Sequence, residues 1–177
     1  MMQNFKIAAA LLNRFGVRFT NNIYSSGILE IIRERMGLEN NLANMVEALN
    51  MNRRSSHFEN ICADQNNVSF FPTLEYRDLI LFALGTYQIR QARSYYGEHV
   101  RSQGRYIIEV NRGEAITQNE HNLRGGSGKK TLFKGKIKSR HISRKQYYVY
   151  LLIENNIPGR TGILEYCCSC LVGRGAL

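Results

Sequence analysis

The sequence predicts an α+β fold: N-terminal helices, one long helix and a small antiparallel sheet. Three observations predict it. Apolar residues recur every three or four positions through roughly the first hundred residues, which is the helical period. From Tyr106 the period changes to two, the strand period. Short turn segments, Ile142 to Lys145 and Asn155 to Gly162 with its Pro158-Gly159, separate the alternating runs, so neighbouring strands are expected to pair antiparallel.

Met1 to Arg14 reads as a helix with Phe5, Ala8, Ala9 and Leu12 on one stripe, starting without a cap. Gly27 to Met36 reads as a second, with Ile28, Ile31 and Ile32 on its apolar stripe, Arg35 on the stripe side and Ser25 or Ser26 as cap. Gly37 stops it, and Glu39 to Leu49 forms another around Leu42, Met45 and Leu49. Asn50 to Asn67 is polar and poorly patterned; His57 and Cys62 lie in it with no second ligand pair nearby and read as a surface histidine and a small buried cysteine. Val68 to Phe71 reads as a strand. After Pro72, Thr73 is the expected N-cap of a long helix to about Val100, burying Ile80, Leu84, Tyr87 and Tyr95 on one side. The expected strands are Tyr106 to Val110, Thr131 to His141, Gln146 to Glu154 and Ile163 to Cys170, with a loop over Asn111 to Lys130. The predicted organisation is a trailing helix over 1–20, a helical connector over 21–72, and a helix-plus-sheet unit over 73–177.

The chain has 177 residues, 44% of them hydrophobic, enough to bury a core. Its net charge of +10 favours a polyanionic partner. The charge is uneven: residues 1–72 carry 7 basic and 6 acidic side chains, whereas 73–177 carry 17 and 8. No Asp or Glu occurs from His121 to Ile153. No apolar run approaches the roughly 20 residues that span a bilayer, no secretory signal is visible, and the cysteine pattern fits a reducing, intracellular setting. Catalysis has little to stand on: Asp occurs only at Asp64 and Asp78, no Ser/His/acid set is recognisable, and Gly125 to Gly128 lacks the strand-to-helix setting of a phosphate loop.

Two features carry chemistry. Alternation places Lys134, Lys136, Lys138 and Arg140 on one face of a strand, and Arg144 and Lys145 follow in the turn. Cations spaced about 6.6 Å apart, two residues of strand rise, suit a phosphate backbone, with Tyr148 and Tyr150 available for stacking. The same face would equally serve as a solubilising surface that discourages edge pairing. The second feature is Cys168 and Cys170, which point to one side of a strand and could grip one metal ion as half a zinc site; buried or simply reduced cysteines account for them as well.

Several segments together resemble a known family. They are Phe71-Pro72-Thr73-Leu74-Glu75-Tyr76-Arg77-Asp78-Leu79, then Leu84-Gly85-Thr86-Tyr87-Gln88-Ile89-Arg90-Gln91-Ala92-Arg93-Ser94-Tyr95, then Ser139-Arg140-His141, then Tyr166-Cys167-Cys168-Ser169-Cys170. They resemble the C-terminal part of transposon-derived proteins that couple a Harbinger-like DDE nuclease domain to a SWIM-type zinc motif. Asn4 to Asn13 resembles the helix that closes that nuclease domain. In the SWIM pattern, Cys-x-Cys on a hairpin is followed by a spacer and Cys-x-His, so the resemblance implies that Cys168 and Cys170 are the first zinc pair. Leu171 to Leu177 would be spacer, Gly173-Arg174-Gly175 standing where the family usually has Gly-Ala-Arg, and the Cys-x-His half would lie beyond Leu177. The family's catalytic acids would lie upstream of Met1.

The resemblance thus implies a non-catalytic, zinc-binding, DNA-associated accessory region of a transposase-like protein, in the nucleus. The expected DNA contacts are Lys134, Lys136, Lys138, Arg140, Arg144 and Lys145. The alternatives are a protein-interaction module stiffened by zinc and a metal-free basic RNA-binding domain.

Overall fold

The computed structural model describes residues 25–52, 58–61, 68–100, 108–111, 123–139, 142 and 144–170. The fold is α+β. Helices α1 (Ser25–Arg35), α2 (Asn41–Ala48), α3 (Tyr76–Phe82) and α4 (Tyr87–Tyr95) accompany five strands, β1 (Glu59–Ile61), β2 (Ile108–Asn111), β3 (Lys130–Lys138), β4 (Gln146–Glu154) and β5 (Ile163–Cys168). The strands form one antiparallel meander in the order β1-β2-β3-β4-β5. The expected helix over Met1 to Arg14, with His57, Cys62, Arg140, His141 and Leu171 to Leu177, lies outside the described residues.

The sheet is buried on both faces at one end, and the burial along β3 shows it. Lys130 to Lys134 are all buried, and alternation between half-buried and exposed positions begins only at Gly135. On one face Leu132, Tyr150, Leu152 and Cys167 pack under Leu42, Met45 and Val46 of α2, closed by Met51 and Leu123. On the other, Ile61, Val110, Phe133 and Ile153 pack under Val68, Phe70 and Phe71. Phe133 stacks on Phe70 at 6.0 Å and meets Phe71 edge-on at 5.4 Å, geometries that suit the ring quadrupoles.

The docking of α2 depends on one buried acid. Asn40 caps the helix by accepting from the Ala43 amide at 2.9 Å. The Leu42 amide, which has no acceptor inside the helix, instead donates to Glu165 Oε2 on β5 at 2.9 Å. Glu165 Oε1 accepts from the Arg124 amide, also at 2.9 Å. One carboxylate therefore ties β5 to α2 and to the segment before β3.

Several expectations are corrected. The single long helix after Pro72 is two: the chain breaks between α3 and α4, where Leu84 and Gly85 take φ of 54° and 138°, a left-handed region that glycine permits and leucine tolerates poorly. A π-helical turn over Tyr96–Val100 follows α4. The N-cap is Glu75, whose amide donates to Asp78 Oδ2 at 3.0 Å in a capping box; the Thr73 carbonyl instead accepts from Gly159. Splitting the helix leaves Ile80 buried but Tyr87 64% exposed. Val68 to Phe71 is a turn closed by the Phe71 amide on the Val68 carbonyl at 2.8 Å. Conversely, Glu59–Ile61, within the stretch expected to be unpatterned, is the first strand of the sheet. The glycines before β3 meet Glu154: Gly128 N–H donates to its Oε1 at 3.1 Å, and a Cβ on Gly128 would collide with that carboxylate. An acid thus occupies the place where a phosphate loop would hold its ligand.

Candidate functional site

The far end of the β3–β4 hairpin carries the exposed cations. Lys136 and Lys138 are exposed at the end of β3, and Arg144 and Lys145 are exposed in the turn. The hairpin end is held by the Lys138 amide donating to Tyr95 Oη at 2.8 Å and by Ser139 N–H donating to the Lys145 carbonyl at 2.8 Å. Lys145 Nζ lies 5.3 Å from the Tyr147 ring centroid, a cation–π distance. Ile142 in the turn is 53% exposed. Among the described residues, none of Lys136, Arg144 and Lys145 has a carboxylate partner.

Lys134 shares the face of Lys136 and Lys138 yet is placed differently. It is 5% exposed, and its ammonium lies 3.0 Å from Glu109 Oε2. The rings of Phe58 and Tyr148 lie 4.7 and 4.8 Å from the same nitrogen. The expected row of cations therefore divides: Lys134 is spent inside the fold, and the solvent-facing set begins at Lys136. Alternation gives the face of a side chain, but only the chain from Phe58 and β2 determines that this part of the face is covered.

Beside this end of the sheet stand the cysteines. Cys167, Cys168 and Cys170 are reduced and form no disulfide. Cys167 points into the core, whereas Cys168 Sγ accepts from the Cys170 amide at 3.3 Å. The strand register sets Cys168 opposite Val149, and Ser169 N–H donates to the Tyr148 carbonyl, while Tyr148 pairs on its other side with Lys136. The backbone at Cys168 is thus about two strand spacings, some 10 Å, from that of β3 where the exposed cations begin, although Cys168 shares the row of Val149 and Gly135 and so alternates to the face opposite Lys136.

Burial chiefly, and then the hydrogen bond that the Cys168 thiol donates to Cys170, push the Cys168 thiol up to about 11. Metal binding there must displace protons, so it strengthens as pH rises. A tetrahedral zinc site takes four ligands. Cys168 and Cys170 fit as two of them, and among the described residues no third His, Cys, Asp or Glu joins them. The described residues therefore offer half a site.

Burial, followed by the charges of Cys168 and Glu165, pushes Cys167 from 9.0 up to about 12. A raised pKa means the folded state holds the proton more tightly than the unfolded chain. Its stabilising effect is complete below about pH 9 and is lost as pH climbs toward 12. The melting temperature of the metal-free protein is therefore expected to fall from pH 9 upward, with a shallower fall in Cys167→Ala; matching slopes in the two proteins would show that this thiol is not the source.

Two parts of the arrangement escaped sequence reasoning. Glu165 is the lone acid among the apolar residues of β5, and that contrast was a usable signal of an inward carboxylate. Arg35, Arg124 and Arg160 meet along β5 although they are far apart in the chain; no local pattern announces them.

Fold and site together define a basic α+β protein with a five-stranded antiparallel meander, an exposed cationic hairpin end and an adjacent thiol pair. Compared with known proteins, the chain matches no family model, no curated protein and no solved structure. No helix among the described residues is long and apolar enough to cross a membrane.

Proposed function

We propose that this chain is the zinc-binding, DNA-associated accessory region of a transposase-like protein and does not itself cut DNA. The observation that carries the reading is the cluster of Lys136, Arg144 and Lys145, exposed at one hairpin end without carboxylate partners among the described residues. Lys138 extends the cluster, and Tyr147 lies under Lys145. A two-stranded ribbon of this kind can enter the major groove, and its cations neutralise phosphates with release of counterions. Cys168 and Cys170 would hold zinc beside it, stiffening the end of β5 against β4, with the remaining two ligands supplied from outside the described residues.

The test is fluorescence anisotropy of labelled duplex DNA at several salt concentrations. Each phosphate neutralised contributes about −0.9 to the slope of log K against log salt. Three such contacts account for about −2.7, or about 40-fold in affinity between 50 and 200 mM salt. K136Q/R144Q/K145Q is expected to flatten the slope by about that amount, and C168S/C170S to abolish zinc retention measured by metal analysis. Wild-type binding that does not respond to salt overturns the DNA surface, and zinc retained by the double cysteine variant overturns the metal assignment.

A further inference from the structure

At the opposite end of β5 from the thiols, a cleft of about 190 Å³ runs along the outer side of the strand. Three arginines from distant parts of the chain line it: Arg35 at the end of α1, Arg124 before β3, and Arg160 in the 3-10 turn that leads into β5. Arg35 is held in place without being neutralised. Its guanidinium carbon lies 5.8 and 5.6 Å from the centroids of Phe82 and Tyr166, and Nη1 donates to Tyr166 Oη at 2.9 Å and, at 3.5 Å, to the Phe82 carbonyl. Arg124 Nη2 donates to the Glu39 carbonyl at 3.0 Å. Every one of these anchors is uncharged, and a guanidinium carries five N–H donors, so charge and donors remain.

Two carboxylates border the cleft, and neither cancels the arginines. Glu165 uses its two oxygens on the Leu42 and Arg124 amides. Glu34 is exposed on α1. Among the described residues, none of Arg35, Arg124 and Arg160 forms an ion pair. The cleft is about six times the ~30 Å³ share of one liquid water, room for a small group and its hydration. Three arginines lining one space match the several oxygens and double charge of a phosphate better than a single carboxylate.

We infer that this cleft is a phosphate-binding site, distinct from the hairpin surface and independent of the reading proposed for it. Its ligand is a phosphate monoester group, either of a small molecule or at the end of a nucleic-acid strand. About six residues of β4 separate the register positions of the two places, or some 20 Å, so the sites can be tested apart.

The experiment is calorimetric titration of the full chain with inorganic phosphate, and in parallel with a short single-stranded oligonucleotide bearing either a 5′-phosphate or a 5′-hydroxyl. Arg160→Gln is the primary variant, because the Arg160 side chain makes no hydrogen bond or ion pair among the described residues. Arg124→Gln is the second. Phosphate binding is expected to weaken about tenfold or more in each, the loss of one charge-assisted contact, and to be unchanged in K136Q/R144Q/K145Q. A preference for the 5′-phosphate that Arg160→Gln erases identifies a strand end as the source. Equal binding of the two oligonucleotides, with inorganic phosphate still sensitive to Arg160→Gln, identifies a small phosphate. No binding of phosphate by the wild type, or binding that neither arginine variant weakens, overturns the site and leaves the DNA surface of the hairpin standing on its own test.

Discussion

Glu165→Ala is expected to destabilise the protein by about 3–5 kcal/mol, the cost of stranding one buried and one half-buried amide that shared a charged acceptor. Glu165 is 5% exposed, and its oxygens accept from Leu42 and Arg124, each at 2.9 Å. The Leu42 amide belongs to the first turn of α2, where no intrahelical acceptor exists, and the carboxylate also faces the positive end of that helix. Because Leu42 is fully buried and α2 brings Met45 and Val46 into the same core, loosening the first turn loosens the cover of the sheet as well. Glu165→Gln keeps the shape and one acceptor but turns an amide NH2 toward a backbone donor, so about 2–3 kcal/mol is expected. Urea unfolding at constant m-value measures both. A glutamine variant as stable as the wild type would remove the carboxylate from its role as the tie between β5 and α2.

What the sequence made legible follows from how local the determining forces are. The β4 strand was readable end to end, because its short aromatic and β-branched apolar run is bounded by the turn before it and the polar Asn155-Asn156 after it, and the structure returns Gln146–Glu154. Helices α1 and α2 came within about two residues, the ordinary scatter of helix ends, since Ile31, Leu42 and Met45 mark their buried faces. The break after α3 was harder. Gly85 stood in plain view, but one glycine inside a helical pattern costs only about 1 kcal/mol and does not by itself stop a helix. Three-residue β1 holds no period at all; its pairing with β2 creates it. The candidate site divides the same way. The exposed hairpin cations and the shared side of Cys168 and Cys170 are consequences of spacing along one strand. The burial of Lys134, the duty of Glu165 and the meeting of Arg35, Arg124 and Arg160 depend on contacts between residues far apart in the chain.

Lys134 and Glu109 are expected to respond asymmetrically to substitution, and the asymmetry tells whether Lys134 belongs to the fold or to a ligand. Breaking a buried pair costs about 3–5 kcal/mol when the survivor is left charged and dry. Glu109→Gln leaves such a survivor, because the Lys134 side chain is 5% exposed. The faces of Phe58 and Tyr148, 4.7 and 4.8 Å away, offset part of the loss, by up to about 2 kcal/mol for desolvated cation–π contacts. A net loss of about 2–3 kcal/mol results. Lys134→Met is milder, about 1 kcal/mol, since Glu109 is 26% exposed and can rehydrate, while a methionine of similar length fills the space between the rings. A double-mutant cycle with Lys134→Met and Glu109→Gln isolates the pair, and equal costs for the two single variants would contradict the burial difference. Because a buried pair is poorly screened, the coupling should persist at 1 M salt, whereas the hairpin contacts with DNA should not. In the DNA titration Lys134→Met should leave the salt slope unchanged, since its charge already has a partner; a flatter slope would place Lys134 among the phosphate contacts instead.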